Sequence, residues 1–289
     1  MNSEIGQNAT GNFRIRRMNR KDIDLAIDWA AGEGWNPGLN DAECFYQTDP
    51  EGFFIGEVDE KPAGMVSAVA YGDGFGFLGF YIVKPEYRGR GYGMQLTNAA
   101  LHYMGNRLMG LDGVISRLED YRKTMKFHLA YRNVRFQGVG KGSQPGNGIV
   151  PIAEIPFEDL LAYDRRCFPA RREIFLRCWM RQPNAVALGA VNDGRLAGYG
   201  VIRECRQGYK IGPLFADNKD IAEKLFQALK YTASGSPVFL DAPEANPAAV
   251  SLAENHGMEP VFATGRMYNA QAPAIDMERI FGITSFELG

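Results

Sequence analysis

The chain has 289 residues, 45 % hydrophobic, 12 % aromatic and 23 % charged. Those are globular proportions, enough for about two domains and incompatible with a disordered or collagen-like chain. Its 32 basic and 34 acidic residues leave a net charge of −2, evenly spread over both halves, which excludes broad electrostatic binding to nucleic acid.

Residues 1–12 read as a loose polar tail without the apolar core of a secretion signal. Residues 13–18 alternate as a strand. Residues 22–31 carry a helical apolar stripe that Asn19 or Asp22 would cap. A glycine-rich break at 32–38 precedes a second helix at 39–48. Strands are predicted at 53–58, 63–71 and 75–83, the last two joined by a Gly72-Asp-Gly74 turn. Pro85 closes the third of these, and a glycine-rich loop leads into an amphipathic helix at 94–108. The spacing then predicts a strand at 113–118, a helix at 124–133 and a strand at 136–139.

Lys141-Gly-Ser-Gln-Pro-Gly-Asn-Gly148 concentrates turn residues and lacks apolar ones. The expected division is therefore a first domain at 1–142, a linker at 143–148 and a second domain at 149–289. In the second half, strands are expected at 149–155, 185–191, 196–204, 209–215 and 238–241. Helices are expected at 157–181, broken near Pro169, and at 219–231 and 247–256, with Gly257 as the cap of the last. One more strand follows Pro260. No stretch approaches the ~18 apolar residues of a membrane span. Four cysteines form no C-x-x-C, and His102, His128 and His256 have no zinc spacing. No metal, no membrane and a reduced, cytoplasmic setting are expected. The oligomeric state is not legible.

The second half repeats the first. Phe77-Leu-Gly79-Phe-Tyr-Ile-Val83 aligns with Lys210-Ile-Gly212-Pro-Leu-Phe-Ala216, and Pro62-Ala-Gly64 with Leu196-Ala-Gly198. The second copy is shorter after this strand and has lost every loop glycine, reading Asp217-Asn-Lys-Asp220 instead.

The chemistry sits in Arg88-Gly-Arg-Gly-Tyr-Gly93. Three glycines let the backbone approach a ligand and turn its N–H groups inward. The following helix N-terminus and the Arg88 and Arg90 guanidinium groups add positive charge, so the loop is a pyrophosphate cradle. Met94 stands where a dinucleotide-binding G-x-G-x-x-G requires its third glycine. Asp217 and Asp220 would repel phosphate in the second copy.

Arg88-x-x-Gly91-x-Gly93, after a strand and before a helix, resembles the signature of the GNAT superfamily of N-acetyltransferases. The element order of both halves resembles a tandem of two such folds, each α/β with a mixed sheet. The resemblance implies that Ile82, Val83, Arg88, Gly89, Arg90, Gly91, Tyr92 and Gly93 bind acetyl-CoA as co-substrate. It implies direct attack of an amine, expected to be that of a small molecule, on the thioester. Tyr131 stands five residues before Phe136, as does the family's proton donor to the departing thiolate, with Arg135 in the family's glycine position. Trp35 and Asn36 fall in the loop where the family shapes its acceptor site. In the second half Asn246, Ala249, Leu252 and Gly257-Met258 keep the pattern, but Ala253 replaces the tyrosine, so that half resembles a degenerate, non-catalytic copy. The oxyanion is expected at a bulged fourth strand, here Gly79 to Val83. The rival readings are a non-catalytic acyl-CoA sensor and a nucleic-acid-binding module.

Overall fold

The computed structural model describes residues 12–289, so nearly all of the tail expected at 1–12 lies outside the described residues. Strand β1 (Phe13–Arg17) enters α1 (Arg20–Gly32) through Asn19. The Asn19 side chain accepts from the amides of Lys21 and Asp22, and the Asp22 carboxylate accepts from the Asn19 amide. This reciprocal box satisfies donors that have no partner inside the helix. After α2 (Asp41–Thr48), strands β2 (Phe53–Val58), β3 (Lys61–Tyr71) and β4 (Phe75–Val83) form an antiparallel ladder with β1. Helix α3 (Tyr92–Met104) crosses over to β5 (Leu108–Val114), which lies parallel to β4.

Beyond α3 the chain departs from the sequence expectation. The strand begins at Leu108 rather than 113, the helix is α4 (Leu118–Met125), and residues 128–133, expected to be helical, join the strand expected at 136–139 in one longer strand, β6 (His128–Val139). Helix α4 is short and mostly polar, its few apolar residues Leu118, Tyr121 and Met125 only partly buried, so its periodic signal is weak. Strand β6 is buried on both faces from Asn133 to Phe136, so its pattern does not alternate.

The second half runs β7 (Ile149–Pro151), α5 (Phe157–Cys167), α6 (Glu173–Trp179), β8 (Ala185–Asn192), β9 (Arg195–Glu204) and β10 (Tyr209–Ala216). It continues through α7 (Lys219–Thr232), β11 (Pro237–Pro243), α8 (Pro247–Asn255), β12 (Glu259–Tyr268) and β13 (Ile280–Gly282). Among the described residues the strands make one thirteen-stranded sheet, in the order β1-β2-β3-β4-β5-β12-β6-β11-β10-β9-β8-β7, with β13 beside β10.

That order contains an exchange. Strand β12 leaves the second half and lies between β5 and β6, while β6 pairs with β11. Each crossing carries a buried ion pair. Arg266 on β12 grips Asp112 on β5 at 2.7 and 2.8 Å, and Arg135 on β6 grips Asp241 on β11 at 2.7 and 2.8 Å. Removing one member of such a pair strands a buried charge, at about 3–5 kcal/mol. Residues 284–289 are buried too: Tyr71 donates to the Leu288 carbonyl at 2.9 Å and Arg172 to the Thr284 hydroxyl at 3.0 Å.

The reduced setting expected from the sequence implies free thiols, but Cys44 on α2 and Cys178 on α6 are joined in a disulfide, with Cα atoms 5.3 Å apart. Folding lays α2 on α6, a proximity that linear spacing does not show. The bond closes a loop of 134 residues, so its loss is worth about 3–5 kcal/mol, chiefly through the unfolded chain. Cys178→Ser is expected to lower the urea midpoint accordingly, and reductant is expected to bring the parent chain down to the same value. A variant indistinguishable from the oxidised parent would refute this.

Candidate active site

The site begins with a fault in β4. Gly79 opposes Ser67 and Ile82 opposes Met65, so Phe80 and Tyr81 together face the single residue Val66. This is a β-bulge, and Phe80 takes a positive φ of 46° to make it. Pairing of β4 with β5 stops at Leu78 and Leu111, and beyond that point the two strands part. The gap is a cleft. Gly79 also admits the chain of the second half, since a Cβ there would collide with the Glu287 carbonyl.

The outer cleft is lined by Ile82, Val83, Arg88, Gly89, Gly91, Tyr92 and Gly93. Gly89 and Gly91 have φ of 76° and 79°, which glycine adopts without strain. Gly93 packs against the Tyr81 hydroxyl, where a Cβ would clash. Tyr92 is buried and stacks on Phe13 at 4.2 Å, anchoring the start of α3. Arg88 donates to the Val83 carbonyl at 2.8 Å and meets Glu33 at 3.4 Å. Among the described residues, nothing accepts from the amides of residues 89–94. Six successive N–H groups, at a helix N-terminus beside Arg88, form an anion cradle.

The inner cleft lies deeper between β4 and β5. Trp35, Phe80, Tyr81 and Tyr121 wall one part, and Phe262, Thr264 and Phe286 of the second half wall the other. Asp112 is its carboxylate, and both oxygens are engaged: Oδ1 by Arg266 and Asn133, Oδ2 by Arg266. Burial raises the Asp112 pKa against the pull of Arg266. The Thr264 hydroxyl is buried without a partner. Tyr121, on α4, lines both parts of the cleft, its ring packed over Gly113, where a Cβ would intrude. Burial, and then the neighbouring Tyr81, push its phenol up to about 12. It is a protonated donor throughout the neutral range.

Residues 21–130 match a model described as the acetyltransferase (GNAT) family, and residues 160–282 a model described as an acetyltransferase (GNAT) domain. A holothin acyltransferase from Pseudoalteromonas sp. (strain SANK 73390) is 32 % identical over 271 residues, spanning 93 % of this chain and 92 % of that protein. The chain belongs to the GNAT family. It is an N-acyltransferase of tandem GNAT architecture, in a family that uses acyl-CoA donors. A putative acetyltransferase from Pyrococcus horikoshii shares the fold, with a TM-score of 0.82 at 23 % identity over 100 % of this chain and 99 % of that one. A tandem GNAT protein from the clavulanic acid biosynthesis pathway does so with a TM-score of 0.62 at 14 % identity, over 90 % and 100 %.

Within the GNAT frame, the structure gathers Ile82, Val83, Arg88, Gly89, Gly91, Tyr92, Gly93 and Trp35 around one cleft. Arg90 stands at its rim, 5.8 Å from the Tyr87 ring. Asn36 turns away, exchanging hydrogen bonds of 3.0 and 3.1 Å with the backbone of Gln207. Tyr131 is not on a helix and lines neither part of the cleft: it lies on β6 opposite Arg266, and burial pushes its phenol far up. Tyr121, which the sequence reading did not single out, is the tyrosine of α4 that lines both parts of the cleft.

The second GNAT half has the same fault in its corresponding strand. Ile211 opposes Ile202 and Leu214 opposes Gly200, so β10 bulges at Gly212 and Pro213. There the opening is filled, because β13 pairs with β10 past the bulge, Leu214 opposite Gly282. Asn218 caps α7 with its own side chain, accepting from the amides of Asp220 and Ile221, so part of that cradle is closed.

Proposed function

We propose that the first half transfers the acetyl group of acetyl-CoA to the amine of a small molecule by direct attack, and that the second half, from residue 149 after the 143–148 linker, is non-catalytic. The observation that carries this reading is the run of open amides at 89–94 beside Arg88, at the mouth of a split between β4 and β5. The amides and Arg88 take the pyrophosphate, with Arg90 adding charge at the rim. Ile82 and Val83 offer their strand edge to the pantetheine arm, which leads the thioester to the bulge at Phe80 and Tyr81. A backbone N–H of that bulge is suited to the oxyanion, since the bulge frees it from the ladder. Tyr121 takes over the role expected of Tyr131 and protonates the departing thiolate. Trp35 walls the acceptor space. The filled opening at β13 and the capped α7 support a silent second half. The near-balanced charge disfavours a nucleic-acid-binding role, and a non-catalytic acyl-CoA sensor would bind acetyl-CoA without releasing thiol in the presence of any amine. The cytoplasmic setting is part of this proposal, and there the Cys44–Cys178 pair would respond to redox state.

A calorimetric titration with acetyl-CoA tests it. One site per chain is expected. Gly91→Glu places a carboxylate in the cradle and forces a side chain to φ 79°. It should weaken binding by about ten- to a hundredfold, each factor of ten being ~1.4 kcal/mol. Two sites would overturn the silent second half, and no binding would overturn the donor.

A further inference from the structure

The inner cleft has a volume of about 50 Å³. One water needs ~10–15 Å³ of such a space, so the cleft holds about four water- or methylene-sized groups. That is too little for a second substrate molecule beside the thioester. Its polar members are on β5 and β12: Asp112, with both oxygens engaged by Arg266 and Asn133, and Thr264. The side toward α3 is apolar. Val66, Leu78, Ala100 and Leu111 belong to one buried cluster there, and Met125 packs against it. Ala100 is fully buried and contributes only a methyl group. The buried Glu287 carboxylate, set among Lys210, Arg135 and Arg203, does not line this cleft, so those charges leave its apolar side untouched.

The bulge decides what enters. Tyr81 lines both parts of the cleft, so the fault in β4 stands where the outer part meets the inner one. A thioester carbon is planar and carries three substituents. With sulfur arriving from the outer cleft and oxygen at a bulge N–H, the third substituent is left the inward direction. That substituent is the acyl chain. Acetyl places one methyl group there and leaves room for about three more groups. Apolar walls left uncovered forfeit both the hydrophobic and the dispersion gain of contact.

We propose that the inner cleft is a closed pocket for the acyl chain of the donor, that it takes unbranched, uncharged chains of up to about five carbons, and that Ala100 sets its depth. The donor is then a short-chain acyl-CoA, of which acetyl-CoA is the smallest. The inference rests on the acyl-transfer reading above and widens its donor. It also places the acceptor amine outside the pocket, because a filled pocket leaves no space for it. A leucine at position 100 would add three carbons, about the space that acetyl leaves empty. Met125 bounds the same pocket at the last residue of α4.

The test is calorimetric titration of the full chain with acetyl-CoA, butyryl-CoA and octanoyl-CoA, which needs no acceptor. Butyryl-CoA adds two methylenes to acetyl-CoA. Each methylene buried is worth about fourfold in affinity, so butyryl-CoA is expected to bind about tenfold tighter. Octanoyl-CoA, with seven carbons beyond its carbonyl, is expected to gain nothing over butyryl-CoA, because the pocket ends. Ala100→Leu should bring the butyryl-to-acetyl affinity ratio down to about one. Met125→Ala removes wall from a partly buried helix end and should raise octanoyl-CoA affinity about fourfold or more; it carries the test if Ala100→Leu does not fold. Acetyl-CoA binding with butyryl-CoA no tighter, a gain that continues through octanoyl-CoA, or a leucine variant that keeps the tenfold ratio overturns the pocket alone. Absence of binding by all three esters overturns the transfer reading and this inference with it.

Discussion

A chain cut after Gly148 is expected to give neither a soluble nor an active first half. The cut falls in the stretch that the sequence marks as the linker, yet it removes β12, which lies between β5 and β6. Both strands would then show bare hydrogen-bonding edges in the middle of the sheet, the arrangement most prone to aggregation. Asp112 would lose Arg266 and Arg135 would lose Asp241, two stranded charges at about 3–5 kcal/mol each if they stay buried. Cys44 would lose its disulfide partner, and Gly79 the segment packed against it. Against a typical stability of about 5–15 kcal/mol, these losses are enough to unfold the fragment. Soluble yield and thiol release from residues 1–148 check this directly. Co-expression of 149–289 as a separate chain should restore both, because the exchange is held by strand pairing and side chains rather than by the linker. A fragment with full activity would show that the second half does not complete the site.

The sequence carried the first half well as far as α3, because capping boxes, alternating strands and the glycine loop are local signals. Asn19, the Gly72-Asp-Gly74 turn and Arg88 to Gly93 each act on near neighbours, and each was legible. The repeat was legible too, and Gly79 and Gly212 both sit at bulges in their strands. What escaped is non-local. Nothing in β6 announces that strands from the other half will pair with both of its edges, so the sequence places Tyr131 on a helix. Nothing in the spacing of Cys44 and Cys178 reports that α2 meets α6. Phe262, Thr264 and Phe286 wall the cleft only because β12 and residues 284–289 cross into the first half, and no local pattern encodes that crossing. Asn36 was close in sequence to Trp35, but its positive φ of 49° turns it toward Gln207.

Tyr121→Phe is expected to lower kcat by about a hundred- to a thousandfold with acetyl-CoA affinity unchanged, while Tyr131→Phe leaves turnover within a few-fold of the parent. The departing thiolate has an ordinary pKa of about 8.5 and the free phenol one of about 10, so protonation in free solution is uphill. Burial raises the Tyr121 phenol further, to about 12, which disfavours full transfer but keeps the O–H intact for hydrogen bonding as charge develops on sulfur. Its value therefore lies in a fixed donor within a cleft that excludes water, and general acids placed so typically contribute 10²–10⁴ in rate. The Phe variant keeps the ring over Gly113 and removes only the donor, so folding and donor binding should persist. The raised value also fixes the pH behaviour. A donor that stays protonated to about pH 12 imposes no alkaline limb on kcat across the usual assay range. Tyr131 shares the raised direction but lines neither part of the cleft, so its phenol has no thiolate to serve. The two single variants, measured by thiol release at saturating acetyl-CoA, assign the donor. Loss of turnover in Tyr131→Phe with an active Tyr121→Phe would return the role to β6 and place the reacting sulfur on the far side of β12.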